Sequence, residues 1–197
     1  MSQVVDNKVA ALLRAGQTTF ENAEPNTGEG FQGWWPPEGE QDLFVVGVTE
    51  KAGKIKDEGG RDVECAEIQF EYEWIRDEKD PTWDKTKEPG PFIFKGRSFR
   101  LVANPDQNLI SKGAQTGCRM DWDRFKGHLS RILDMKKEEL GDVMARYAEA
   151  KAKIAGENRV AVEALIEYRQ WVSKPQPGKP EKKGVEKKEY IKSLISG

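Results

Sequence analysis

The sequence predicts a mainly β fold: five strands, interrupted by helices between the third and the fourth. Three observations carry this expectation. VECAEIQFEYEWI (63–75) sets Ile68, Phe70, Tyr72 and Trp74 on one side and Glu67, Gln69, Glu71 and Glu73 on the other. That period of two is a half-buried strand with an acidic outer face. From Asp121 the period lengthens, and Trp122, Phe125, Leu129, Ile132 and Leu133 in WDRFKGHLSRILDM recur at helical spacing. After Gly156 β-branched residues return in NRVAVEALIEYRQWV (158–172).

The elements follow in order. VVDNKVAALLRA, within residues 1–15, predicts a short amphipathic helix with Val5, Val9, Leu12 and Leu13 along one side. Residues 16–30 are polar, without a period, and residues 1–30 read as a partly flexible N-terminal arm. The domain proper spans 31–197. Its first strand is QDLFVVGVTEKAGKI (41–55), where Gly47 marks a bend or bulge. DEGGRD (57–62) is a turn by composition, and the strand at 63–75 follows. A charged loop, 76–91, leads into FIFKGRSFRLV (92–102). There Phe92 and Phe94 face inward and, beyond a bulge at Gly96, so do Phe99 and Leu101. The helical insertion is placed at 121–156, with Asp121 as N-cap and Gly156 just past the end. A fourth strand, a Pro/Gly/Lys loop at 173–189 and a short closing strand, YIKSLI (190–195), complete the chain. Five strands with helices between the third and fourth match the layout of an oligonucleotide-binding (OB) barrel, which would also remove exposed strand edges.

Composition narrows the function classes. The 197 residues carry 32 basic and 34 acidic side chains, a net charge of −2. A surface that is basic throughout is excluded, so a polyanion partner requires local segregation of charge. Cys65 and Cys118 are the only cysteines, and no CxxC spacing suggests zinc. They read as reduced thiols of a cytoplasmic protein, with no apolar run of membrane-spanning length and no signal peptide. Neither a phosphate-binding loop nor a dinucleotide fingerprint is present, and no cofactor or resident metal is expected.

Charge is segregated. Between Lys174 and Lys192 seven lysines meet three glutamates; that +4, in a chain of −2, leaves −6 for the rest. An OB barrel takes its ligand across strands two and three, between the first-to-second and fourth-to-fifth strand loops. On that layout Lys51 and Lys54 lie by the first loop, Lys95, Arg97 and Arg100 on the third strand, and Lys174, Lys179, Lys182 and Lys183 in the last loop. These are the candidate phosphate contacts. Trp83, Trp34 and Trp35 lie in irregular segments and are the candidate base-stacking platforms, each good stack contributing roughly 1–3 kcal/mol. Each element also has a plain structural reading. The lysine loop can be a solvated connection, Trp34 and Trp35 can plug a barrel end, and Arg97 and Arg100 can pair with Glu71 or Glu73 across strands.

Two other functions compete with this one. Asp42, Glu67 and Gln69 resemble the acidic residue plus E-x-Q pattern of some metal-dependent nucleases, although alternating glutamates produce it by accident. His128, the only histidine, falls on a helix and reads as structural. A non-catalytic barrel that meets an acidic protein partner through the basic loop is the other alternative.

GWWPPEGEQDLFVVGVTE, the alternating aromatic strand, FKGRSFRL, a helical segment and a final strand pair occur in that order over residues 30–196. In this order the chain resembles the OB-fold single-stranded-DNA-binding proteins encoded by bacteriophages. The resemblance implies a non-enzymatic protein that coats single strands in replication or recombination, in the host cytoplasm, with replication or recombination proteins as partners and room for a homo-oligomer. The acidic C-terminal tail common in the wider family has no counterpart in EKKEYIKSLISG.

Overall fold

The computed structural model describes residues 6–22, 36–57, 59–76, 90–156, 159–172 and 183–195. The element order is α1 (Asn7–Ala15), α2 (Gln17–Glu21), β1 (Gly39–Lys56), β2 (Asp62–Trp74), β3 (Phe92–Leu101), α3 (Pro105–Asn108), α4 (Lys112–Leu133), a 3-10 turn (Lys137–Glu139), α5 (Val143–Ile154), β4 (Val160–Val172) and β5 (Lys183–Leu194). The strands form one antiparallel sheet in the order β3-β2-β1-β4-β5. Helices are inserted between the third and fourth strands, as expected. No described helix is long and apolar enough to cross a membrane.

Both glycine irregularities expected from the sequence are present. The β1–β2 register shifts between Val45 and Gly47, and the β2–β3 register between Gln69 and Glu71, opposite Gly96 and Arg97. Gly96 has a second reason to lack a side chain. A Cβ there would lie 2.5 Å from Tyr72 Cε2 and 2.8 Å from Glu189 Oε1.

The inner face of β2 behaves as its alternation requires: Ile68, Phe70 and Tyr72 are buried, and Trp74 is half-buried at the strand end. Against them pack Leu43 and Val45 of β1, Phe94, Phe99 and Leu101 of β3, Val162, Ala164 and Ile166 of β4, and Ile191 of β5. The core is completed by Trp122, Phe125, Leu129 and Ile132, which recur along one face of α4, and by Val143, Tyr147 and Ala150 of α5. Cys65 and Cys118, both free thiols, share a second cluster with Val102 and Leu109. Burial pushes the Cys65 and Cys118 pKa values up to about 11 and 12, so neither ionises near neutral pH.

Four expectations need correction. Residues 17–21 are helical, not a loose arm, and Phe20 is fully buried against Trp122 and Phe125 with ring centroids 6.2 and 6.3 Å apart. The helical insertion starts at Pro105, not Asp121. The N-cap of α4 is Ser111, whose side chain accepts from the Ala114 amide, while Asp121 sits buried in mid-helix. Finally, residues 183–189 belong to β5 and pair with β4 from Val172 to Ile166, so the last loop is shorter than 173–189.

The sheet is not closed: among the described residues no backbone ladder joins β3 to β5. The two edges meet instead through a side chain. The Arg97 amide donates to Glu189 Oε1 at 2.7 Å, with Glu189 2 % exposed.

Candidate nucleic-acid interface

The outer face of β2 carries two layers of charge. Cross-strand register sets Glu67 between Lys51 of β1 and Arg100 of β3, and Glu71 opposite Lys95. Lys51 Nζ lies 2.9 Å and Arg100 Nε 3.8 Å from the Glu67 carboxylate, and Lys95 Nζ lies 3.4 Å from Glu71. Glu73 receives Arg159, the residue before β4, at 2.8 Å. The carboxylates are recessed, with side chains 18 %, 27 % and 21 % exposed for Glu67, Glu71 and Glu73. The cations stand above them, at 73 % for Lys51, 60 % for Arg100, 51 % for Lys95 and 56 % for Arg159.

Glycines make this layering possible. A Cβ on Gly53 would lie 2.8 Å from the Glu67 carboxyl carbon, and one on Gly47 would lie 3.0 Å from Glu71 Oε2. Because β1 offers bare backbone at both positions, the two carboxylates lie flat over it. Between them Gln69 donates to the Gly96 carbonyl at 2.8 Å, tying the stripe to the bulge in β3. Exposed ion pairs of this kind contribute only ~0–1 kcal/mol each, so the cations are available for exchange onto other anions.

Of the sequence candidates, Lys51, Lys95 and Arg100 therefore share one face. Lys54 lies further along the β1–β2 hairpin, 3.5 Å from Asp62. Arg97 does a different job. Its guanidinium is mostly buried and donates to Asp121 Oδ1 at 2.9 Å, while Asp121 also takes the Arg100 amide at 3.1 Å and Arg124 at 3.2 Å. Burial pushes the Asp121 pKa up to about 6, against the opposing pull of Arg97. Arg97 fastens β3 to α4 and is removed from the set of phosphate contacts. The cross-strand pairing of Arg97 and Arg100 with Glu71 or Glu73 does not occur, the partners being Asp121 and Glu67. Trp34, Trp35, Trp83, Lys174, Lys179 and Lys182 lie outside the described residues. Lys183 opens β5 opposite Val172, and its side chain is likewise outside them.

One aromatic residue and one arginine, Phe44 and Arg159, join this surface without a sequence signal that singles them out. Phe44 is half-buried on the outer face of β1, opposite Glu73, with the Arg159 guanidinium 5.2 Å from its ring centroid. Trp74 and Phe92, assigned to the core by their alternation, are half-buried at the sheet's end in an edge-to-face pair 5.7 Å apart, and Arg76 lies over Trp74 at 5.4 Å. Only register carries Arg159 to Glu73, which is why its place is not legible from the chain alone. For Trp74 and Phe92 the available signal is position: at strand ends they are buried on fewer sides than at strand centres.

The other constellations are occupied structurally. Glu67 and Gln69 are engaged as above, and Asp42 lies on exposed backbone opposite Glu163. Among the described residues no three or more His, Cys, Asp and Glu side chains come together to hold a metal ion. His128 is stacked on Phe70 at 5.6 Å, its Nδ1 3.0 Å from the Arg124 carbonyl. Burial drives its pKa down to about 3, so the ring is neutral and serves the core. Glu50, an inward-facing residue of β1, binds Tyr147 at 2.5 Å, Lys151 at 3.0 Å and the Asp6 amide at 2.9 Å, joining α1 and α5 to the sheet.

Comparison with known proteins returned no matching family model, curated protein or solved structure.

Proposed function

We propose that this chain is a non-catalytic protein that binds single-stranded DNA without sequence preference, through the outer face of β1, β2 and β3. The observation that carries the reading is the layer of exposed cations, Lys51, Lys95 and Arg100 at cross-strand positions and Arg159 just before β4, beside the outward ring of Phe44. Phosphate neutralisation and base stacking are the two terms that bind a single strand irrespective of sequence. Lys174, Lys179, Lys182 and Lys183, with Trp34, Trp35 and Trp83, are further candidate contacts on this reading, outside the described side chains. The role is protection of single strands during replication or recombination, as in the phage-encoded proteins the sequence resembles.

The fold proposed for this surface is an OB barrel whose β3–β5 seam is closed by side chains. Support comes from the pairing of β1 with both β2 and β4, from the helices between β3 and β4, and from the contact of Glu189 with the Arg97 amide. In such barrels the second and third strands form the ligand platform.

The Lys51→Ala and Arg100→Ala variants test the site. Binding of dT and mixed-sequence oligomers, measured by anisotropy over a series of salt concentrations, weakens for all alike. The slope of log K against log salt becomes shallower by about 0.7 for each phosphate that is no longer neutralised. An unchanged slope in both variants removes this face from the interface.

A further inference from the structure

We propose that Glu67, Glu71 and Glu73 are selectivity residues: they hold the cation layer close to neutral, so that a ligand must offer base faces as well as phosphates. This rests on the single-strand reading above and names what sets its preference for single over double strands. Four cations stand over three carboxylates, so the patch carries +1 where the cations alone would carry +4. The carboxylates lie beneath the cations, each 18–27 % exposed. Glu67 and Glu71 lie in the spaces left by Gly53 and Gly47, and Glu73 is bridged to Arg159.

The consequence follows from what each ligand can offer. A duplex presents its phosphates at high density and buries its base faces, so its non-specific binding is almost wholly electrostatic. A patch of +1 gives such a ligand little, and the recessed carboxylates repel it. A single strand adds stacking to the same phosphate contacts, and stacking is indifferent to the carboxylates beneath. The glutamates therefore subtract from both affinities but leave only the single strand with a compensating source of binding. They are positioning residues for the cations, and the ratio of affinities reports their role where overall stability does not.

The test uses the full-length chain with Glu67→Gln and Glu71→Gln combined, each substitution keeping the shape of the side chain. Affinities for a dT oligomer, a DNA duplex of equal length and heparin, a polyanion without bases, are measured at one salt concentration. The expected result is a gain of about tenfold or more for duplex and heparin, a smaller gain for dT, and so a fall in the single-to-double-strand ratio. The Glu67→Asp variant, which keeps the charge, should retain the wild-type ratio, and far-ultraviolet circular dichroism checks the fold. Equal gains for all three ligands, or none for duplex and heparin, overturn the inference. Failure of wild-type protein to bind dT is a separate result that overturns the single-strand reading, whatever the glutamine variant does with heparin.

Discussion

Replacing Trp122 by alanine is expected to lower the unfolding free energy by about 3–5 kcal/mol, read as a shift in the urea midpoint at unchanged slope. Trp122 is fully buried in α4, its indole N–H donates to the Val102 carbonyl at 2.8 Å, and its ring meets Phe20 and Phe125 edge-on. Gly16, between α1 and α2, sits directly on it: a Cβ there would lie 2.2 Å from Trp122 Cζ2. The substitution thus opens a cavity, strands a buried carbonyl and removes the ring on which Gly16 and Phe20 pack. Domains are stable by only about 5–15 kcal/mol, so much of the margin disappears. A reduction under about 1 kcal/mol would contradict the packing of Trp122 at the centre of this core.

The second large effect is a dependence on pH at the β3–β5 seam. Burial raises the Glu189 pKa from 4.5 to about 7, the Arg97 amide and guanidinium opposing it only in part. Burial first, and then the charge of Glu189, hold the Tyr72 hydroxyl well above its usual range. A carboxyl that binds its proton more tightly when folded favours the native state at low pH. Its contribution is fully present below about pH 4.5 and is lost as pH rises through about 7. Glu189→Gln keeps the acceptor for the Arg97 amide and has no charge to bury. The variant should match wild type at pH 4.5 and exceed it at pH 8 by on the order of 3 kcal/mol. Asp121, raised from 3.8 to about 6, slopes the same way but is common to both proteins and cancels in their difference. Urea midpoints at the two pH values check this. A variant less stable than wild type at pH 8 would contradict it.

What the sequence made legible is what local pattern controls. The alternation in β2 named its inner face residue by residue, and Gly47 and Gly96 marked both register shifts. The core face of α4 was legible from Trp122 to Ile132 but its start was not. SKGAQTGC has glycines at 113 and 117 that weaken a helical pattern, and the helix there is carried by the Ser111 cap and by Cys118 packing on Cys65 and Val102. The first half of β5, before the closing strand read at 190–195, was hidden for a related reason. KGVEKKEY lacks an apolar alternation, and its strand state comes from pairing with β4, a tertiary effect that propensity does not see. The candidate site was half legible. Lys95 and Arg100 were named from their strand and Lys51 from the first loop, although it lies within β1, whereas the recessed carboxylates, Arg159 and the structural use of Arg97 depend on cross-strand register and on which residues lack a Cβ.

The central claim is that this chain binds single strands by phosphate contact and stacking together. Its most direct test is intrinsic tryptophan fluorescence during titration with a dT oligomer at low salt, followed by addition of sodium chloride to the saturated complex. Saturable quenching that salt reverses is the expected result. No change in fluorescence, with no shift of the oligomer in a gel, would contradict it.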